Sequence, residues 1–210
     1  MTVWSATVSD VRHILVFKEY LVENFVKNGG FETGDLTDWN VEGYVDGIGS
    51  NGAFEGQHYL MISANRYSGY VWQRLPTSDM KIFGFAWRFN KTVSPMYQYG
   101  YIAFLDPAIW NWSNLLKIWI DRIVDNRLQA VIGDWQGEIS AIKDEEGYYD
   151  SGWHTIIGVL KEGELFDVYL DGKWITEFEM KRYLGIAIGA FGSTTSIISG
   201  VFNFDDIIVG

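Results

Sequence analysis

The sequence of 210 residues contains no cysteine, and this absence removes two classes of site. Without thiols the chain has neither a disulfide framework nor a thiolate metal centre. It has only three prolines, which argues against a proline-rich linker between domains. No apolar run approaches the roughly 18 residues of a transmembrane helix, so we expect no membrane insertion. The first residues lack the basic start and long apolar stretch of a signal peptide.

Basic residues are scarce as well. Lys and Arg number 16 against 27 Asp and Glu, which gives a net charge of −11 and a pI near 4.6. This balance argues against nucleic acid as a partner, because contacts to phosphates need a clustered Lys and Arg surface. It also disfavours anionic membrane surfaces. Bound cations, neutral sugars or simple solubility are all compatible with it.

Aromatic residues, by contrast, are abundant, with 10 Trp, 12 Tyr and 13 Phe. The numbers of Trp and Tyr exceed what a core of this size usually takes. We therefore expect some rings to face outward and to stack on a partner. The same composition supplies enough apolar material for a sizeable core and is unlike that of a disordered chain.

Segments with alternating apolar and polar residues recur from residue 24 onward, which predicts an all-β sandwich. The predicted strands span 59–63, 70–75, 81–90, 97–105, 115–121, 127–133, 154–160, 166–170, 185–191 and 201–209. Asp171-Gly172 is the two-residue turn of a predicted hairpin. We interpret residues 1–23 as an N-terminal arm or extra strand outside this pattern. Such an arm pairs either with its own sheet or with a neighbouring subunit.

Alternation along the predicted strands assigns the side chains to two faces. Phe83, Phe85 and Trp87 share the face that we assign to the core. The opposite face combines flat rings with hydrogen-bonding groups: Arg88, Tyr97, Tyr99, Tyr101, Lys117, Trp119, Gln129 and Trp135. Such a face suits a sugar, whose C–H patches stack on rings while its hydroxyls bond to polar side chains. The alternatives are burial under the chain's own segments and burial at a subunit interface.

The segment Asn28–Trp39 reads as a tight glycine turn with an aromatic plug. Gly29, Gly30 and Gly34 permit positive φ, where the chain must bend sharply. Phe31 and Trp39 are the large apolar groups expected to anchor that bend.

This segment carries a family resemblance. Residues 23–39, together with the blocks 52–62, 71–76 and 202–209, resemble jelly-roll carbohydrate-binding modules of the galactose-binding-like and xylan- or glucan-binding kind. Residues 153–157 and 168–173 are also similar to concanavalin-like and laminin-G-like sandwiches. The resemblance implies a single antiparallel jelly-roll β-sandwich over 24–210 that binds a polysaccharide or glycan.

The same resemblance implies a structural calcium ion between the first and last strands. Glu32, Asp205 and Asp206 match the positions of its ligands, and hard carboxylate oxygens are what calcium prefers. The alternative is that these carboxylates are solvated edge charges that deter pairing with another sheet.

No catalytic pattern stands out. The Glu-x-Asp-x-x-Glu run of concanavalin-like glucanases is absent, and His13, His58 and His154 have no metal-ligand spacing. We therefore predict a non-catalytic carbohydrate-binding protein, located outside the cell or on a virion or cell surface. The alternative is a self-assembling structural subunit of a virion, filament or surface layer, linked to copies of itself by its N-terminal arm. A glycosidase is the third hypothesis.

Overall fold

The computed structural model describes residues 23–64, 69–90, 98–105, 115–124, 127–133, 138–142, 152–181, 184–192 and 200–210. These residues form 14 strands and no helix. The described part of the chain therefore has no helix that is long and apolar enough to cross a membrane. Residues 1–22, most of the predicted arm, lie outside it, so the predicted boundary between arm and sandwich stays a prediction.

The strands form two seven-stranded antiparallel sheets that enclose one main core. Sheet 1 contains, in spatial order, β1 (Asn40–Glu42), β4 (Tyr70–Arg74), β13 (Gly185–Gly192), β6 (Gln98–Leu105), β7 (Leu115–Val124), β8 (Arg127–Gly133) and β9 (Glu138–Ile142). Sheet 2 contains, in spatial order, β12 (Lys173–Glu179), β11 (Leu165–Leu170), β10 (His154–Glu162), β5 (Ile82–Asn90), β14 (Val201–Val209), β3 (His58–Ser63) and β2 (Gly47–Ser50). The predicted all-β sandwich is confirmed.

Each predicted strand is present, with ends that shift by at most three residues. The structure adds β1, β2 and β9, which no clear alternation in the sequence marks, and it gives bounds to β12, the second strand of the predicted hairpin. All three residues of β1 are exposed, and β2 reads Gly-Ile-Gly-Ser, so neither strand shows an apolar face. Short edge strands of this kind take their conformation from the neighbour with which they pair.

The core lies between the two sheets and is rich in phenylalanine. Phe83 of β5 contacts Phe104 of β6, with ring centroids 5.6 Å apart, and so joins sheet 2 to sheet 1. Gly100 of β6 faces the same core, because a Cβ there would overlap the ring of Phe202 on β14. The predicted core face of β5 is confirmed, since Phe83, Phe85, Trp87 and Phe89 all belong to the core cluster.

The hairpin at Asp171-Gly172 is also confirmed. Both residues have positive φ, 47° and 77°, as a two-residue hairpin turn requires. The Asp171 carboxylate joins the turn to the neighbouring strand β10. Its Oδ1 accepts the N–H of Thr155 at 2.8 Å, and its Oδ2 lies 2.9 Å from Nδ1 of His154.

The segment Asn28–Trp39 packs against the C-terminal strand, as an aromatic plug should. Phe31 is fully buried and stacks on Trp39 at 5.7 Å, and Trp39 donates its Nε1–H to the Asn28 carbonyl at 3.1 Å. Positive φ occurs at Asn28, Phe31 and Gly34, whereas Gly29 and Gly30 do not adopt it. Gly29 is needed instead for close approach, because a Cβ there would overlap the carbonyl of Ile207.

Candidate functional site

The outer face of sheet 1 carries a group of aromatic rings. Tyr101 of β6 lies over Gly189 of β13, since a Cβ at residue 189 would overlap the tyrosine hydroxyl. The Cβ of Tyr70 approaches the same position, at 2.8 Å, from the other side. Gly189 therefore provides the space in which two tyrosines from neighbouring strands come together on the sheet.

The exposure of these rings differs. Tyr101 is only 7 % exposed, and it packs with Ala187 in a small cluster against which Tyr70 and Trp72 are partly buried. Phe191 extends the same face along β13 and is 41 % exposed. Phe191 is therefore the most exposed ring of this group, whereas Tyr70 and Trp72 are half-buried against the cluster that contains Tyr101.

Backbone pairing brings further predicted residues to the same region of sheet 1. Tyr99 stands between Phe191 of β13 and Trp119 of β7 in the register of the sheet. Tyr101 pairs with Lys117 in the same way. Sheet 1 thus brings Tyr99, Tyr101, Lys117 and Trp119 onto neighbouring strands, and their role in binding stays a prediction.

The structure describes less of the other predicted residues. Gln129 lies on β8, the strand that pairs with β7. Tyr97 and Trp135 lie outside the described residues. So do the side chains of Tyr99, Lys117, Trp119 and Gln129. The sugar-binding role of these residues stays a prediction.

Arg88 does not join this group, which corrects the expectation of one shared face. It lies on β5 of sheet 2, where Trp87 and Phe89 on either side of it point into the core. Arg88 therefore points to the outer face of sheet 2, on the opposite side of the sandwich. A β-sandwich has two outer faces, and alternation along one strand does not distinguish them.

Three ring-bearing residues of the sheet 1 face were missing from the predicted set. Tyr70 and Trp72 alternate on β4 with the buried residues Val71 and Gln73, so alternation alone marked them as outward. Phe191 follows the same rule on β13. Its place opposite Tyr99, however, depends on the pairing of two strands more than eighty residues apart in the chain.

Two of the predicted calcium ligands hold a single loop. Oδ2 of Asp205 accepts the N–H of Phe54 at 2.9 Å and that of the following residue at 3.2 Å. The Glu32 carboxylate accepts the N–H of Gln57 at 3.0 Å and that of the following residue at 2.9 Å. These bonds tie loop 51–57 both to the last strand and to the N-terminal segment.

The third, Asp206, lies in a β-bulge of β14 with a positive φ of 54°. Burial, together with the charges of Glu55 and Asp205, raises the pKa of its carboxyl to about 8. Burial also raises the pKa of Asp205, to about 7, although the amides of the loop lower it and Glu32 adds a small repulsion. The carboxyl groups of Glu32, Glu55, Asp205 and Asp206 thus converge on the β-bulge in the middle of the last strand.

The negative charge of this carboxyl cluster suits a cation, but the geometry of the cluster is incomplete. Carboxylates that raise one another's pKa are the donor chemistry that a hard cation neutralises. Cγ of Glu32 and Oδ1 of Asp205 lie 3.7 Å and 3.9 Å from the position that a Cβ on Gly30 would occupy. Within the described residues, however, no three Asp, Glu or His side chains form a group that could hold a metal ion.

No protein-family model and no curated protein matches this sequence. Solved structures do match. A carbohydrate esterase from a Shiga toxin-encoding bacteriophage, phi24B, has a TM-score of 0.54 at 15% identity, over 86% of this chain and 94% of that chain. The Emp47p carbohydrate recognition domain has a TM-score of 0.50 at 15% identity, over 83% and 92%.

A GH16 protein from Bacteroides ovatus, solved in complex with a product, is similar as well. Its TM-score is 0.55 at 12% identity, over 84% of this chain and 96% of that chain. The chain shares their β-sandwich fold. Because the identities are this low, the similarity concerns the fold, which hosts both binding domains and enzymes among these three proteins.

Proposed function

We propose that this protein is a non-catalytic carbohydrate-binding β-sandwich whose glycan stacks on the outer face of sheet 1. The observation that carries the proposal is the ring group built by Tyr70, Trp72 and Phe191 beside the buried Tyr101. Pyranose rings present C–H patches that stack on such surfaces, and phenol hydroxyls bond to sugar hydroxyls. A neutral glycan suits a chain with a net charge of −11 better than an anionic polymer does.

The similar structures support the binding part of the proposal, since one of them, named as a carbohydrate recognition domain, shares the sandwich. Two others are enzymes by name, and so the non-catalytic part of the proposal rests on this chain's own residues. Glu177, a candidate acid, is half exposed on β12 and forms an ion pair with Lys161. A carboxyl group in that setting is exposed to solvent and already paired with a lysine.

The test is glycan binding by an array or an affinity gel, with variants on each sheet. We expect Phe191→Ala to weaken binding about tenfold, which is the loss of one stacked ring of roughly 1.4 kcal/mol. Trp119→Ala and Tyr99→Ala are expected to act in the same sense. Trp174→Ala is the matched control, because Trp174 is 53 % exposed on sheet 2. Equal losses in test and control, or no glycan bound at all, would exclude the proposal.

The proposal includes a structural calcium ion held by Glu32, Asp205 and Asp206, with Glu55 as a further neighbour. It is supported by the raised pKa values of the two aspartates and by their place between the last strand and loop 51–57. Bound calcium would neutralise this cluster and join the two ends of the sandwich. Thermal unfolding with and without a chelator tests for this ion.

Self-assembly through residues 1–23 is the alternative and stays a prediction, because most of that segment lies outside the described residues. Deleting the segment and measuring particle mass by light scattering tests it. A monomer both with and without the segment would rule out assembly through the arm. An extracellular or surface location is likewise part of the proposal, and fractionation of the source cells tests it.

A further inference from the structure

The outer face of sheet 2 holds an arginine that contacts two aromatic rings. The Cζ atom of Arg88 lies 4.6 Å from the ring centroid of Tyr59 on β3 and 4.6 Å from that of Trp153, which precedes β10. Trp153 is fixed in turn, because its Nε1–H bonds to the Gly52 carbonyl at 2.8 Å. The two rings also contact each other edge to face at 5.7 Å. The guanidinium group therefore lies in the corner formed by two rings that contact each other.

This arginine has no acceptor among the described residues. Nε of Arg88 is shielded from solvent and makes no hydrogen bond, and none of the ion pairs in that part of the chain involves Arg88. The absence is unusual in a chain with 27 acidic residues against 16 basic ones. Ring faces attract a cation but do not accept its N–H groups in the plane of the guanidinium. The N–H groups of Arg88 therefore lack a hydrogen-bond acceptor among the described residues.

Asn203 provides an independent observation at the same place. It stands directly opposite Arg88 in the antiparallel register of β14 and β5. It is fully buried, yet neither its Nδ2 nor its Oδ1 has a hydrogen-bond partner. Buried amide groups without a partner are rare, and each marks an unseen water or ligand. A cross-strand pair thus carries three shielded polar atoms in need of partners.

We propose that Arg88 and Asn203 form an oxyanion site on the outer face of sheet 2, separate from the ring group of sheet 1. Its ligand is a carboxylate- or sulfate-bearing molecule. Of the three guanidinium nitrogens, Nε is the shielded one, so the ligand accepts end-on from the two Nη–H groups of Arg88. Asn203 acts as a positioning residue beneath the guanidinium, through a water that joins its amide to Nε.

The acidic residue two positions along β14 from Asn203 does not pair with Arg88. Asp205 on the same strand is engaged by the amides of loop 51–57, and its raised pKa owes nothing to Arg88. A planar carboxylate or a sulfate ester matches the fork of an oriented guanidinium, whereas a lysine would present only a point charge. The site therefore distinguishes an acidic ligand from its neutral counterpart.

The test is calorimetric titration of the full chain with glucuronate, a sulfated monosaccharide, free sulfate and, for comparison, glucose. We expect the acidic ligands to bind at least about tenfold more tightly than glucose, with an affinity that falls as salt is added. Tighter binding of a sugar acid than of free sulfate would assign a glycan source to the anion, and the reverse order a free oxyanion. No preference over glucose would overturn the proposal.

Two variants identify the residues. Arg88→Gln is expected to abolish the preference for acids, and Arg88→Lys to reduce it about tenfold. Asn203→Asp keeps the side-chain shape and adds an internal counter-charge beside Arg88, so it is expected to remove anion binding in a folded protein. Arg74→Gln, at an exposed arginine of sheet 1, is the control that leaves affinity unchanged. Retained anion binding in Arg88→Gln, or in Asn203→Asp with a native unfolding midpoint, would refute the assignment.

Discussion

The aspartates of the last strand, whose pKa values are raised, make the stability of this protein depend on pH. A bound cation would reverse the sign of that dependence. In the cation-free protein the pKa of Asp206 rises from 3.8 to about 8 on folding. A carboxyl whose pKa is raised by folding binds its proton more tightly in the native state. Its contribution to stability is therefore complete below about pH 4 and is lost as the pH rises towards 8.

The magnitude follows from the same shift. One pKa unit corresponds to about 1.4 kcal/mol, so Asp206 contributes a loss of about 1.4 kcal/mol for each pH unit between its two pKa values. From about pH 5 to about pH 7 this amounts to roughly 3 kcal/mol, or on the order of 10 °C in unfolding midpoint for a domain of this size. Asp205 adds a loss of the same sign over the whole of that range, because its pKa rises from 3.8 to about 7.

The assay is thermal unfolding across this pH range, in chelator and in excess calcium. In chelator we expect the midpoint to fall with rising pH, and Asp206→Asn to make that fall about half as steep, because Asp205 still contributes. In calcium the ionised carboxylates bind the cation, so the wild-type midpoint is expected to rise with pH instead. Asp38→Asn is the matched control, because Asp38 also has positive φ, 71°, but is exposed.

The outcome discriminates between two separate statements. A midpoint that is flat or rises with pH in chelator, in both wild type and Asp206→Asn, would refute the raised pKa of Asp206. Identical profiles in chelator and in calcium would refute the cation site and leave the pKa shifts in place. At about pH 8 we expect Asp206→Asn to be more stable than wild type in chelator and less stable in calcium.

Three further predictions concern packing and hydrogen bonds, each measured by denaturant unfolding. Gly189→Ala places a methyl group against Tyr101 and is expected to cost about 1–3 kcal/mol; an unchanged stability would mean that the ring shifts freely. Trp153→Phe loses the bond to the Gly52 carbonyl and is expected to cost about 1 kcal/mol, which a neutral result would contradict. Asp171→Gly keeps the turn conformation but loses the carboxylate's bonds, for an expected loss of about 1–3 kcal/mol; a gain in stability would contradict the role given to that carboxylate.

Local patterns in the sequence were sufficient for the strands that cross the core. In β5, Phe83, Phe85 and Trp87 alternate with small or polar residues, and each of these rings lies in the core as expected. Alternation works there because large rings fill the core face, whereas the outer face of β5 holds Gly84, Ala86 and Arg88. The edge strands β1 and β2 lack that contrast, so their existence depends on the partner strand rather than on their own residues.

The sequence by itself also determined the chemical character of the outward residues, namely rings mixed with a few polar groups in an acidic chain without thiols. Only the tertiary structure decided which sheet each of them occupies. Tyr101 and Arg88 have the same outward phase on their own strands, yet they lie on opposite sides of the sandwich. The reason is that alternation has a range of one strand, whereas the face a residue shares with others depends on pairings between strands distant in the chain.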